Sequence, residues 1–97
     1  MAIAALLDLK LAGDTLPQAG PIIHETLEVT RAFAGCISCD VLVDAEDATH
    51  YLVYELWESA EADATYRAFR ATPEGASRLG EILAAPPTLT KFTVTDW

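Results

Sequence analysis

Basic residues are scarce in this sequence of 97 residues. Six lysines and arginines stand against fifteen aspartates and glutamates, which gives a formal net charge of −9. Nucleic acids and anionic membranes are bound largely through basic side chains that contact phosphates. No run of basic residues occurs anywhere along the chain. We therefore expect neither a nucleic acid nor a membrane among the partners of this protein.

Long apolar runs and export signals are also missing. The first apolar stretch meets Asp8 and Lys10 within a few residues, and no basic segment precedes it. It is too short for the apolar region of a signal peptide or for a membrane span. We therefore expect a cytoplasmic protein whose two cysteines, Cys36 and Cys39, are reduced thiols.

No set of metal ligands is recognisable. Cys36 and Cys39 form a C-x-x-C pattern in a segment that is predicted to be a strand. Residues three apart in a strand point to opposite faces, so we expect the thiols neither to share a metal nor to pair. His24 and His50 have no second histidine or cysteine at metal-ligand spacing. We predict no metal site and interpret His24 as a surface partner of Glu28.

The apolar content is 52%, which is enough for a packed core, and the length suits one domain over residues 1–97. Hydrophobic alternation and β-forming residues predict four strands. They lie at residues 2–11, 36–44, 50–57 and 89–94. An acidic connection of about five residues, 44–48, joins the second and third strands.

Helix signals occur at three places. We expect the first helix to begin at Pro21, as the first helical residue, and to end at Gly35, which suits a left-handed exit. Ser59 is a typical cap for a second helix. Thr72-Pro73-Glu74 resembles another start signal and predicts a further short helix that carries Leu79, Ile82 and Leu83.

The resulting order is β-α-β-β-α(α)-β. It predicts an α+β, ferredoxin-like split β-α-β fold, in which helices cover one face of a four-stranded antiparallel sheet. The other face of the third strand would carry Leu52, Tyr54 and Leu56, which no helix can cover. We therefore expect a homodimer that is joined through the sheets.

Three short motifs, in this order and spacing, resemble one protein family. They are FAGCIS at residues 33–38, YELWES at 54–59 and FRATPE at 69–74. Together they resemble the antibiotic biosynthesis monooxygenase (ABM) domain family. The resemblance covers nearly the whole chain. It implies a dimeric α/β barrel of two ferredoxin-like protomers, and it implies activities that include cofactor-free oxidation of aromatic polyketides and quinols.

Candidate site residues follow from the strand parity and from this resemblance. Trp57 is expected to line a cavity between sheet and helices and bind an aromatic ring, or else only to fill the core. Glu55 on the same face is either an ion-pair partner of Arg67 or Arg78, or a base. Tyr66 is either a hydrogen-bond donor to a substrate or a core aromatic.

Three further residues complete the prediction. Phe69 and Arg67 are placed with Trp57 as substrate-binding residues. His50, which could face either the cavity mouth or solvent, is placed with Tyr66 and Glu55 as a catalytic candidate. Many family members carry a histidine near Tyr66 and Phe69, and this chain has none there. It also has no asparagine, and Val53 stands where oxygenases of the family often have one.

These residues favour a homodimeric monooxygenase that oxidises a small aromatic or quinol substrate with molecular oxygen. It would use no metal, flavin or other cofactor, because an electron-rich substrate anion would itself reduce oxygen. Two alternatives remain open. One is a non-catalytic ligand-binding or stress-related dimer of the same fold, and the other is a cyclase or isomerase that uses the same cavity.

Overall fold

The structure, a computed structural model, describes all of residues 1–97 and contains one four-stranded antiparallel sheet with two helices. The strands are β1 (Ile3–Lys10), β2 (Cys36–Asp44), β3 (Asp47–Trp57) and β4 (Thr88–Thr93), and the helices are α1 (Leu16–Ala32) and α2 (Ala60–Arg70). Short 3₁₀ turns occur at Gly13–Thr15 and Leu79–Glu81. The strand order β2-β3-β1-β4, with both helices on one face, confirms the predicted ferredoxin-like fold.

Strand alternation separates the sheet into an inner face beneath the helices and an outer face. On β3 the inner residues are Tyr51, Val53, Glu55 and Trp57, and the intervening residues face outward. Leu9 of β1 and Leu27 of α1 pack with Val53 in the main core. Trp57 and Tyr66 form a second, smaller core cluster beside it.

Helix α1 begins five residues before the predicted start at Pro21. Pro17 lies in its first turn, where the missing N–H costs nothing, but Pro21 lies inside the helix and removes one backbone hydrogen bond. The buried side of the helix already begins at Ala19, ahead of Pro21, and continues through Ile22 and Ile23. Packing of this side against the sheet therefore outweighs the local preference of proline.

Gly35 ends the first helical segment as predicted, with a positive φ of 89°. A side chain at this position would also collide with helix α2, because an added Cβ would lie 2.5 Å from the Cβ of Ala62. Ser59 caps α2 as predicted, since its Oγ accepts a hydrogen bond from the backbone N–H of Ala62 at 3.1 Å. The β2–β3 connection is shorter than predicted, because β3 already begins at Asp47.

The helix predicted to start at Thr72-Pro73-Glu74 is wrong. The Thr72 hydroxyl accepts a hydrogen bond from the N–H of Gly75 at 3.1 Å, as a cap would, but it also donates to the carbonyl of Phe69 at 2.7 Å. The segment thereby turns back onto the end of α2. Only the 3₁₀ turn Leu79–Glu81 is helical, although Ile82 is buried in the core as its apolar character predicts.

The expectation that the two cysteines face opposite sides is also wrong. A β-bulge at Ile37 inserts one extra residue, so that Cys36 pairs with Trp57 and Cys39 pairs with Glu55. Both thiols therefore lie on the inner face, and they are not joined by a disulfide. Burial raises the pKa of the Cys39 thiol to about 12. A bulge cannot be recognised from the alternation of a nine-residue segment, which reads as a regular strand.

Candidate active site

A cavity of about 180 Å³ lies between helix α1, the inner face of the sheet and the C-terminal half of α2. Its aliphatic lining comes from the sheet, from α1 and from the turn after Arg78, and consists of Leu7, Ile23, Leu27, Val53 and Leu79. Neither helix is long and apolar enough to cross a membrane. The cavity combines this apolar lining with a polar wall, which is formed mainly by α1 and α2.

Tyr66 presents its hydroxyl group within a hydrogen-bonded cluster on this wall. The hydroxyl oxygens of Tyr66 and Thr30 are 2.7 Å apart, and Arg70 Nε donates to the Tyr66 oxygen at 2.7 Å. Either hydroxyl can be the donor in the contact between Thr30 and Tyr66, and when Thr30 donates, the Tyr66 proton is available to a ligand. Tyr66 is 3% exposed, so this cluster holds the hydroxyl in a defined place inside the fold.

Glu55 is the buried carboxylate of the cavity wall. Its Oε1 accepts hydrogen bonds from Arg67 Nη2 at 2.5 Å and from Trp57 Nε1 at 3.1 Å. Glu55 lines the cavity, and its Oε2 has no hydrogen-bond partner in the chain but is not fully buried. Of the two partners predicted for Glu55, Arg67 forms the ion pair. Arg78 instead lies on the surface beside Glu25 and Glu81.

Arg67 is itself held between two acids. Asp63, one turn earlier on α2, contacts Arg67 at 3.0 Å, and Lys91 of β4 contacts the other Asp63 oxygen at 2.5 Å. Asp63 is only 2% exposed and would be costly to bury without both cations. Glu55, Arg67, Asp63 and Lys91 therefore form one chain of ion pairs that fixes the Arg67 side chain at the cavity.

Trp57 is fully buried on the inner face, as predicted, but it lies behind the cavity and does not line it. Its ring packs on Tyr66 with 4.7 Å between ring centroids and contacts Phe33 edge-on. Phe69 packs against Phe33 at 5.3 Å and is likewise not part of the lining. These rings support Tyr66 from behind, and a ligand in this cavity would not touch them directly.

His50 lies on the outer face, on the opposite side of the sheet from the cavity. Its Nδ1 is 2.8 Å from Asp44 and its Nε2 is 3.0 Å from Asp8. Hydrogen bonds to these two carboxylates raise the pKa of the His50 imidazole, and the bond to Asp44 has the larger effect. A catalytic role would require His50 to face the cavity mouth, but its parity on β3 places it on the other side of the sheet from Tyr66 and Glu55.

Sequence reasoning missed three residues of this site. Asp63, Arg70 and Lys91 received no site role from the sequence, although Arg70 lies within the FRATPE motif. The four-residue spacing on α2 does indicate that Asp63 is next to Arg67 and that Tyr66 is next to Arg70. Lys91, by contrast, reaches Asp63 only through the pairing of β4 with β1, which no local pattern reveals.

The family can now be decided from the whole arrangement. The sequence model of a family described as antibiotic biosynthesis monooxygenase matches residues 18–76, from α1 to the turn after α2. This match spans more than half of the chain and includes all three motifs noted above. The chain belongs to the antibiotic biosynthesis monooxygenase family. No curated protein matches this ABM chain in sequence.

Solved structures agree with this ABM fold over nearly the full length. The structure of Rv0793 from Mycobacterium tuberculosis is similar with a TM-score of 0.81 and 21% identity, and covers 100% of this chain and 98% of its own. A crystal structure described as an antibiotic biosynthesis monooxygenase gives 0.79 and 20%, with coverages of 96% and 98%. A conserved protein from Methanosarcina mazei gives 0.81 and 16%, with 95% and 91%. At these identities the likeness establishes the fold.

Proposed function

We propose that this ABM protein is a cofactor-independent monooxygenase that oxidises a small phenol or quinol with molecular oxygen. The observation that carries the proposal is that Glu55, whose Oε2 has no hydrogen-bond partner, and Tyr66 both line one partly apolar cavity. A carboxylate oxygen at such a cavity can accept the proton of a phenol. The family supports oxygen chemistry but does not identify the substrate.

The reaction balances without a metal, a flavin or an external reductant. For a phenol with a free para position, phenol and O₂ give a quinone and water. One oxygen atom bonds to the para carbon and the other leaves as water. Glu55 takes the phenol proton, the resulting anion transfers electrons to oxygen, and the Tyr66 hydroxyl donates a hydrogen bond to the developing oxyanion. The apolar lining excludes water, which strengthens these interactions.

A non-catalytic ligand-binding role is the second candidate, and one observation favours it. The Tyr66 hydroxyl already contacts Arg70 and Thr30, and Glu55 Oε1 already contacts Arg67 and Trp57. Groups that are held so completely can shape a binding site without moving a proton. Under this candidate the same ligands would bind and no oxygen would be consumed.

We also propose a homodimer that forms through the outer face of the sheet. Leu52, Tyr54 and Leu56 lie there on β3, next to Leu42 of β2, and Phe92 of β4 is 52% exposed. Contiguous apolar side chains on an open sheet face usually mark an interface. A second copy of the same face would cover them without help from another protein.

Oxygen uptake by the purified protein tests the catalytic proposal. A panel of single-ring phenols and quinols should give uptake that Glu55→Gln and Tyr66→Phe each reduce by about a hundredfold, the scale of proton-transfer and hydrogen-bond contributions. Glu58→Gln and Tyr51→Phe are matched controls, because neither residue lines the cavity or belongs to the apolar face proposed for the dimer. Substrate binding without uptake would favour the non-catalytic candidate. Product formed equally without oxygen would favour a cyclase or isomerase.

A further inference from the structure

The charges around the cavity do not cancel. Two carboxylates, Glu55 and Asp63, face three cations, Arg67, Arg70 and Lys91. Glu55 and Asp63 are both engaged with Arg67, and Asp63 also contacts Lys91. Arg70 contacts neither of them, so the cluster carries one excess positive charge. In a chain with a net charge of −9, this local excess is unexpected.

Arg70 is bound only by neutral acceptors. Its Nε donates to the Tyr66 hydroxyl, its Nη1 donates to the carbonyl of Gly75 at 3.1 Å, and its Nη2 donates to the Thr26 carbonyl at 2.8 Å and to Thr30 Oγ1 at 3.2 Å. A guanidinium group has five N–H donors, so one on Nη1 remains unused. Arg70 is half-buried and lines the cavity.

A half-buried cation without a counter-charge is unfavourable, and an anionic ligand would relieve that cost. Guanidinium groups bind carboxylates through charge-assisted hydrogen bonds that are roughly twice as strong as neutral ones. The four neutral contacts hold the Arg70 side chain in place, so that little rotamer entropy is lost when an anion binds. The chemistry of the wall therefore selects for one negative charge.

The size of the cavity restricts the rest of the ligand. An apolar protein cavity of roughly 150 Å³ accommodates benzene. This cavity, at about 180 Å³, has room for one ring with small substituents and not for a fused polycyclic molecule. Its apolar lining, which includes Leu7, Leu27 and Val53, is suited to the ring rather than to a polar chain.

We propose that this cavity binds a single-ring aromatic carboxylate, with the carboxylate on Arg70 and the ring on the apolar lining. The proposal rests on the proposed function only in taking this cavity as the substrate site. It makes Arg70 a specificity-determining residue, and the hydroxyl of a hydroxybenzoate would be the group that Glu55 deprotonates.

Calorimetric titration without oxygen tests this inference apart from turnover. The probes are 3-hydroxybenzoate and 3-hydroxybenzamide, which have nearly the same shape, differ in charge and have a free position para to the hydroxyl. The wild-type protein should bind the benzoate at least about tenfold more tightly than the benzamide. A bicyclic probe, 6-hydroxy-2-naphthoate, should bind at least about tenfold more weakly than the benzoate.

Variants assign the preference to Arg70. Arg70→Met should remove the preference for the benzoate and leave benzamide affinity nearly unchanged. Arg70→Lys keeps the charge and should keep part of the preference. Arg31→Met is the matched control, because Arg31 is the other arginine without a carboxylate partner and lies outside this cavity. It should leave both affinities unchanged.

The outcomes separate this inference from the proposed function. Equal affinity of wild-type protein for the two single-ring probes, tighter naphthoate binding or no binding at all would each overturn it, and these results do not depend on whether a variant folds. A preference that survives in folded Arg70→Met would also overturn it. Selective benzoate binding without oxygen uptake would remove only the catalytic proposal, and uptake with neutral phenols alone would remove only this one.

Discussion

Trp57 and Glu55 are two residues apart on β3, so they lie on the same face of the sheet and stabilise each other. The indole N–H donates to a carboxylate oxygen that also accepts from Arg67, so a buried tryptophan nitrogen and a buried acid are satisfied together. Burial of either group alone would cost free energy. The Trp57 ring also supports Tyr66, whose hydroxyl faces Thr30 and Arg70. The residues of the cavity wall are therefore held by packing from behind as much as by their own hydrogen bonds.

Trp57→Ala should lower the free energy of unfolding by about 3 to 5 kcal/mol, because it leaves a large void in the smaller core cluster. It also removes a donor from Glu55. The measurement is denaturant unfolding followed by far-ultraviolet circular dichroism, with Trp97→Ala as the control. Trp97 is the only other tryptophan and is fully exposed, so its loss should change stability by less than about 0.5 kcal/mol. Equal effects of the two substitutions would contradict the packing described here.

At this scale the sequence is a good guide to burial and a poor guide to partners. Strand parity predicted that Glu55 and Trp57 face inward, and it offered Arg67 as one partner for the acid. The same parity also places His50 on the outer face, although the sequence left open that it faces the cavity mouth. The uncompensated charge of Arg70 could not be foreseen, because it depends on which acids the fold brings to Arg67 and Lys91.

Two elements differ from their local signals, and in both cases tertiary packing explains the difference. Helix α1 continues through Pro21 because its buried side already contacts the sheet at Ala19. The segment after α2 contains a capping threonine and a proline but does not become a helix. Gly75 lies directly on the end of α2, where its carbonyl accepts from Arg70. Local propensity is a weak prior in such places, since the net stability of helices comes mostly from packing.

Gly75→Ala should therefore destabilise the protein by about 1 to 3 kcal/mol. An added Cβ would lie 1.8 Å from the carbonyl oxygen of Phe69, which is backbone and cannot rotate away, so the turn must move off α2. Gly80→Ala is the matched control, because no atom lies within 4 Å of a Cβ there. Thermal unfolding of both variants is the measurement. A melting temperature of Gly75→Ala equal to that of the control would show that the turn does not pack as described.

Across the whole molecule, the two faces of the sheet differ in what covers them. The inner face is covered by α1 and α2 and contains the cavity. The outer face is uncovered and combines apolar side chains with a small charged group, in which His50 lies between Asp8 and Asp44. The placement of the two main helices on one face followed from the order of elements, which is why the sequence alone predicted an uncovered face. The cavity volume did not follow, because it depends on how closely α1, α2 and the turn at Leu79 approach one another.

The outer face should hold two protomers together in solution. Wild-type protein at micromolar concentration should sediment at twice the protomer mass of 10.5 kDa, and Leu42→Asp should shift it to the protomer mass. Leu42 is half exposed, so a charge there costs the isolated protomer little, whereas an aspartate buried in the interface would be unfavourable. Val29→Asp is the matched control, since Val29 is similarly exposed but lies on the outer surface of α1, and it should leave the dimer intact. Circular dichroism of both variants establishes that they are folded.

Because each protomer carries nine excess negative charges, added salt should tighten the dimer. A wild-type protein that sediments only as a protomer, or a folded Leu42→Asp variant that remains dimeric, would show that this face is not the interface.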